Sequence, residues 1–242
     1  MRLTVLGADG AYPTPGGACS GFLLEHDGFR LLLDVGYATV PRLPVDPRLI
    51  DAVLVTHGHP DHCADLNPLL RARVLREDPA PAALPVYAPS GALDAVLALD
   101  RPGMLPCSVS AVSGRFAVGP FIVDAFELPH FVRNLGYRLS AGGVVLAYTG
   151  DTGPSPSIVD LARDADLFLA EATYVDEVPA DSAASMSSAS SAGRDAAAAG
   201  VGALVLTHLQ PGTASADSVA AATDGFAGPV MVASPGSVTT IR

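Results

Sequence analysis

Apolar positions in this chain cluster into short runs, each closed by glycine, proline, aspartate or histidine. Runs of that length, bounded by turn formers, read as β-strands. Strands are predicted over residues 2–6, Phe22–Glu25, Phe29–Leu33, Ala52–Val55, Val86–Ala88, Phe121–Leu128, Leu135–Leu139, Val144–Tyr148, Asp166–Ala170, Ala203–Thr207 and Val230–Ala233. Spacing near 3.6 residues predicts helices over Ala64–Arg76, Ala92–Leu99, Ser157–Arg163, Ala192–Ala199 and Ala214–Thr223. His26-Asp27-Gly28 and Ala141-Gly142-Gly143 are turn signals that fold two strand pairs into hairpins. His26 is thereby expected at the surface. The glycine- and proline-rich stretch 7–17 is a loop, read either as a connector or as the lip of a substrate mouth. Val175–Ser191, rich in Ser, Ala and Pro, reads as a loop or lid.

The strand ends carry an unusual share of reactive side chains. Ala52–Val55 runs into Thr56-His57-Gly58-His59-Pro60-Asp61-His62, Phe121–Leu128 into His130, Val144–Tyr148 into Asp151, Leu167–Ala170 into Glu171, and Ala203–Leu206 into Thr207-His208. Any one of these has an ordinary explanation, such as a hydrogen-bonded core histidine or a turn aspartate. Five of the six histidines obey the scheme, and rigid strand ends hold site geometry well. Imidazole and carboxylate together suit zinc, and also manganese or iron. Asp34, after the strand Phe29–Leu33, is either a group supporting the metal loop through backbone hydrogen bonds or a plain turn residue. Cys63 reads as a small buried residue at a helix start rather than a ligand.

Composition narrows the partners. The net charge is −11, there is no lysine, and the 14 arginines are scattered. An extended nucleic-acid surface draws on many cationic side chains and is therefore not expected; a small phosphorylated substrate is compatible. Hydrophobic residues make up 49% of the chain, yet no apolar run reaches bilayer-spanning length and no signal peptide is recognisable. Three cysteines without paired spacing favour a reducing compartment. The expectation is a soluble cytoplasmic protein forming one domain over residues 1–242.

His57-Gly58-His59-Pro60-Asp61-His62 matches the His-x-His-x-Asp-His signature, and the chain resembles the metallo-β-lactamase superfamily over nearly its whole length. Leu6-Gly7 to Pro13-Thr14, Leu33-Asp34-Val35-Gly36, Thr149-Gly150-Asp151-Thr152 and Glu171-Ala172-Thr173 are similar to the tRNase Z and zinc phosphodiesterase branch. That resemblance implies an α/β fold, a four-layer αβ/βα sandwich of two β-sheets face to face with helices outside. It implies two zinc ions, one on His57, His59 and His130, the other on Asp61, His62 and His208, with Asp151 between them. It further implies a homodimer and a hydrolase using a metal-activated water, with Asp61 and Glu171 as catalytic groups. A small phosphodiester, a cyclic nucleotide among the candidates, is the expected substrate. A lactone, thioester or β-lactam acyl hydrolase, a tRNA 3′ endonuclease and a non-catalytic metal scaffold are the alternatives. One position departs from the branch: Met186 stands where a histidine pairs with the glutamate and helps protonate the leaving group. Methionine has no proton to donate.

Overall fold

In the computed structural model, which describes residues 1–75, 79 and 81–242, the first predicted hairpin forms as its turn chemistry demands. Its strands pair with His26 opposite Phe29, leaving Asp27 and Gly28 as a two-residue turn at φ 49° and 81°. Positive φ at both positions matches the twist of antiparallel strands.

In chain order the elements are β1 (Arg2–Gly7), β2 (Gly21–His26), β3 (Phe29–Val35), β4 (Ala52–Leu54), α1 (Pro60–Cys63), α2 (Leu66–Val74), β5 (Leu84–Ala88), α3 (Asp94–Leu97), β6 (Cys107–Ala111), β7 (Gly114–Val118), β8 (Phe121–Leu128), β9 (Asn134–Ala141), β10 (Val144–Tyr148), α4 (Pro156–Ala162), β11 (Leu167–Glu171), α5 (Ala189–Ala199), β12 (Leu204–Thr207), α6 (Ser215–Thr223), β13 (Val230–Val232) and β14 (Val238–Thr240). Two sheets result. One runs β14-β1-β2-β3-β4-β5-β6 and the other β13-β12-β11-β10-β9-β8-β7. Pairing is antiparallel from β14 to β3 and parallel from β3 to β6; in the second sheet it is antiparallel from β7 to β10 and parallel from β10 to β13.

Residues on the two faces of each strand explain the unbroken apolar runs. Leu24, Leu31 and Leu33 point inward to meet Tyr137, Leu139, Leu146 and Leu169 of the facing sheet. Their neighbours Leu23 and Leu32 point outward onto Leu66, Leu69 and Leu70 of α2. On the far side Phe168, Leu204 and Leu206 are covered by Ile158 and Leu161 of α4 and by the alanines of α5. Strands buried on both faces need not alternate. The fold is therefore the expected αβ/βα sandwich.

Several boundaries differ from the sequence-based expectation, each for a local reason. The helix predicted over Ala64–Arg76 is α2 alone, starting at Leu66; the short α1 precedes the predicted range, and Arg76 lies outside the described residues. Strands β6, β7 and β14 have no strand signal; all three are sheet edges with mostly exposed or half-buried side chains, so no core-facing pattern marks them. Helix α5 begins three residues earlier than its alanine run. Ser188 Oγ accepts the Ser191 amide and Ser191 Oγ accepts the Ser188 amide, a capping box built from serine. Gly193 lies where α5 touches α6: a Cβ there would sit 2.2 Å from the Ala222 carbonyl oxygen. His26 is away from the predicted ligand cluster but not free in water, since its ring lies 6.1 Å from that of Phe121. Among the described residues no helix is long and apolar enough to cross a membrane.

Helix α5 also carries a measurable titration. Burial pushes the Asp195 carboxyl up from 3.8 to about 6, against the pull of neighbouring Arg194. A carboxyl whose pKa is raised by folding penalises the folded state once it ionises, so stability falls as pH climbs from about 4 through about 6. Asp195→Asn removes that penalty. Its melting temperature is expected to exceed the parent's at pH 7.5 by roughly 2–6 °C, discounting for partial exposure. The gap should shrink as pH falls through about 6 and close only near pH 4, and a gap that widens in acid would refute the assignment.

Candidate metal centre

The C-terminal ends of strands β4, β8, β10 and β12 carry the predicted ligands, and the structure brings all seven together. They come from both sheets: His57, His59, Asp61 and His62 from the turn after β4, and His130, Asp151 and His208 from the ends of β8, β10 and β12. Two sets of donor atoms form, His57/His59/His130 and Asp61/His62/Asp151/His208, and within each set the atoms lie within 4.8 Å of one another.

Outer partners fix how the rings point. Asp34 is fully buried at φ 55° near the end of β3. Its Oδ1 accepts the Thr56 amide at 2.7 Å; its Oδ2 accepts Thr56 Oγ1 at 2.8 Å, Tyr148 OH at 2.7 Å and His62 Nδ1 at 2.8 Å. With its proton committed to Asp34, Thr56 Oγ1 receives His57 Nδ1–H at 3.0 Å. His130 donates Nδ1–H to the Ser185 carbonyl at 2.8 Å. His208 donates Nδ1–H to Thr173 Oγ1 at 2.8 Å, and that hydroxyl donates to Glu171 Oε1 at 2.7 Å. Four imidazoles thus spend their protonated nitrogen outward and turn the lone pair of Nε2 inward, an arrangement typical of metal-ligating histidines.

Inward, the lone pairs collide. His57 Nε2 and His130 Nε2 each stand 3.1 Å from His59 Nδ1. His208 Nε2 is 3.1 Å from oxygens of both Asp61 and Asp151. His62 Nε2 and Asp151 Oδ1 are 3.1 Å apart, yet both are buried without a hydrogen-bond partner. Asp151 reaches both sets, since its Oδ2 is 3.9 Å from His57 Nε2 and 3.8 Å from His130 Nε2. Ligand atoms crowded face to face in a buried site need a shared partner, and a divalent cation in each set would satisfy them. The residues present therefore fit two ions.

For His57 the electrostatics agree. Burial, then the positive charge of His62, holds the His57 imidazole well below its usual pKa, leaving it neutral as a ligand must be. At His62 and His208 burial lowers the imidazole, but the charge of Asp151 outweighs it and raises both, so a bound cation would have to displace a proton from each. Burial pushes the Asp151 carboxyl up, but the charges of His208 and His62 outweigh it and hold it well below the usual range. Glu171 goes the other way, raised to about 7 by burial and by the charge of Asp151.

Glu171 belongs to neither donor set. Besides Thr173 it accepts the amides of Thr152 at 2.7 Å and Ser187 at 3.0 Å, so it ties together β11, the Asp151 turn and the segment before α5. Met186 is half-buried in that segment, whose Ser185 carbonyl orients His130. The 7–17 loop is more than a connector: the Ala11 amide donates to Asp61 Oδ2 at 3.0 Å and faces His208 Nε2 at 3.4 Å. Cys63 is buried, its thiol directed at the Gly58 carbonyl 3.6 Å away. The supporting roles of Thr56, Thr173, Tyr148 and Ser185 escape sequence reasoning. Their only trace is Thr56 directly before His57; Thr173, Tyr148 and Ser185 leave none, because distant contacts place them.

A model of the β-lactamase superfamily domain matches residues 28–209. The chain belongs to the β-lactamase superfamily. Within it, the chain is 30% identical over 213 residues to the probable metallo-hydrolase YhfI of Bacillus subtilis, covering 86% of this chain and 87% of that one. The crystal structure of that metallo-β-lactamase fold protein superposes with a TM-score of 0.90 over 98% of each chain, at 29% identity. Ribonuclease Z of Kineococcus radiotolerans is 30% identical, with 86% of this chain and 83% of that protein covered.

Proposed function

We propose that this protein is a hydrolase dependent on two divalent metal ions, and that it cleaves small phosphodiesters. The observation that carries the reading is the pair of converging donor sets with Asp151 reaching both. His57, His59 and His130 would hold one ion and Asp61, His62 and His208 the other; zinc, manganese and iron all suit these donors. Two such ions supply Lewis acidity and water made nucleophilic near neutral pH. The chain's own residues do the rest. Asp61, steadied through Oδ2 by Ala11, is placed to take up the proton of the attacking water. Glu171 acts through Thr173 to keep His208 Nε2 turned inward. Support for phosphodiester over acyl substrates comes from the ribonuclease Z relative and from the Gly150-Asp151-Thr152 setting of the shared carboxylate.

Among the described residues no imidazole remains to protonate a leaving group, since the sixth histidine, His26, ends β2. A leaving group that departs as a stable anion avoids that need. Bis-p-nitrophenyl phosphate is therefore the matched probe. Zinc- or manganese-loaded protein is expected to hydrolyse it well above a His57→Ala control. If metal is bound and only lactones or thioesters turn over, the phosphodiester assignment fails.

A further inference from the structure

The turn joining β8 to β9 carries His130 and, directly after it, three exposed residues, Phe131, Val132 and Arg133. Its base is rigid. Leu128 pairs with Asn134, and the buried Asn134 side chain donates to the Thr149 carbonyl at 3.0 Å. Phe131 is 59% exposed, and its ring centroid lies 5.2 Å from that of His130. Beside this turn is a hollow of about 330 Å³ lined by Gly58, Pro89–Ala92, Ala95, Val132 and Arg133. Gly58 stands between His57 and His59, so the hollow opens next to one of the two donor sets. Gly58 also touches the opposite wall: a Cβ there would lie 2.6 Å from the Ala92 carbonyl oxygen. The Arg133 guanidinium is paired only loosely, 3.4 Å from a Glu127 carboxylate that is itself 67% exposed. Exposed pairs of this kind hold little energy, so the cation is available to a second acceptor in a chain that is otherwise strongly acidic.

An aromatic face, a loosely held guanidinium and an open hollow, all adjoining the site of hydrolysis, match the chemistry that grips an unpaired base. Bases stack on aromatic rings, and arginine meets their polar edges or a neighbouring phosphate. We propose that this hollow is the subsite for the ester group that is not expelled, and that it takes a nucleobase stacked on Phe131 with Arg133 at its polar edge. Resting on the phosphodiesterase reading, the proposal makes the substrate a nucleotide ester and Phe131 and Arg133 its specificity residues.

Two substrates with one leaving group test it: the p-nitrophenyl ester of thymidine 5′-phosphate and methyl p-nitrophenyl phosphate. The metal-loaded parent is expected to favour the thymidine ester in kcat/KM. Phe131→Ala should cut that preference about ten- to a hundredfold, the range of base stacking, chiefly through KM. Phe131→Tyr should retain it, and Arg133→Gln should reduce it severalfold. Metal content by elemental analysis, measured for each variant, is expected to match the parent. If both substrates are cleaved without preference, or Phe131→Ala lowers kcat equally on both, the subsite is refuted while the phosphodiesterase reading stands. If neither is cleaved by metal-loaded parent, both fall together.

Discussion

Asp151→Ala is expected to lower hydrolysis of bis-p-nitrophenyl phosphate by about 10³-fold or more, and to reduce bound metal below two ions per chain. The reason is positional. Among the described residues Asp151 is the one carboxylate within 4 Å of ligand nitrogens from both donor sets. Removing it would withdraw negative charge from between the two proposed cations, and the electrostatic part of two-metal catalysis is worth several kcal/mol, at roughly tenfold in rate for each 1.4 kcal/mol. Elemental analysis and steady-state kinetics on the same preparation check it. A variant with two ions bound and a rate within tenfold of the parent would contradict the role given to Asp151.

Asp34→Asn is the second large effect, and it acts without touching the substrate. Asparagine tolerates the φ of 55° about as well as aspartate, so backbone strain is not introduced. The amide, however, puts two N–H donors where the carboxylate accepted from the Thr56 amide, Thr56 Oγ1, Tyr148 OH and His62 Nδ1. One buried face must then set donor against donor. Breaking a buried charged network costs about 3–5 kcal/mol, which is roughly 6–20 °C in melting temperature for a chain of this size. His57 and His62 also lose the partners that fix their rings, and metal affinity is expected to weaken about 10–100-fold. Melting curves and competition with a calibrated chelator read the two effects separately. A variant that melts with the parent would show the network to be dispensable.

Why the donor set is legible in the sequence and much of its support is not has a physical basis. The ligands follow apolar strands, and strands buried on both faces announce themselves as runs such as Leu31-Leu32-Leu33 and Val144–Tyr148. A polar residue capping such a run stands out. Asp34 stands out too, at the close of one such run. Thr173 and Ser185 do not, because what makes each matter is a contact with His208 or His130 at 35 and 55 residues' remove. The edge strands are hidden for the converse reason: β6 and β7 face water along much of their length, so burial imposes no pattern on them. The Ser188 cap is easily missed because serine stands at the third helical position where glutamate or glutamine is the usual signal.

The division of the donors between the two sheets has a consequence for the molecule as a whole. Neither layer owns a complete set, because His57 and His59 belong to one and His130 to the other, and the same split separates Asp61 and His62 from His208. A cation seated there rivets the halves of the sandwich across their seam. The unfolded chain cannot reproduce that grip, so each occupied position adds to cohesion by mass action, and the hydrolytic machinery doubles as the clasp of the fold.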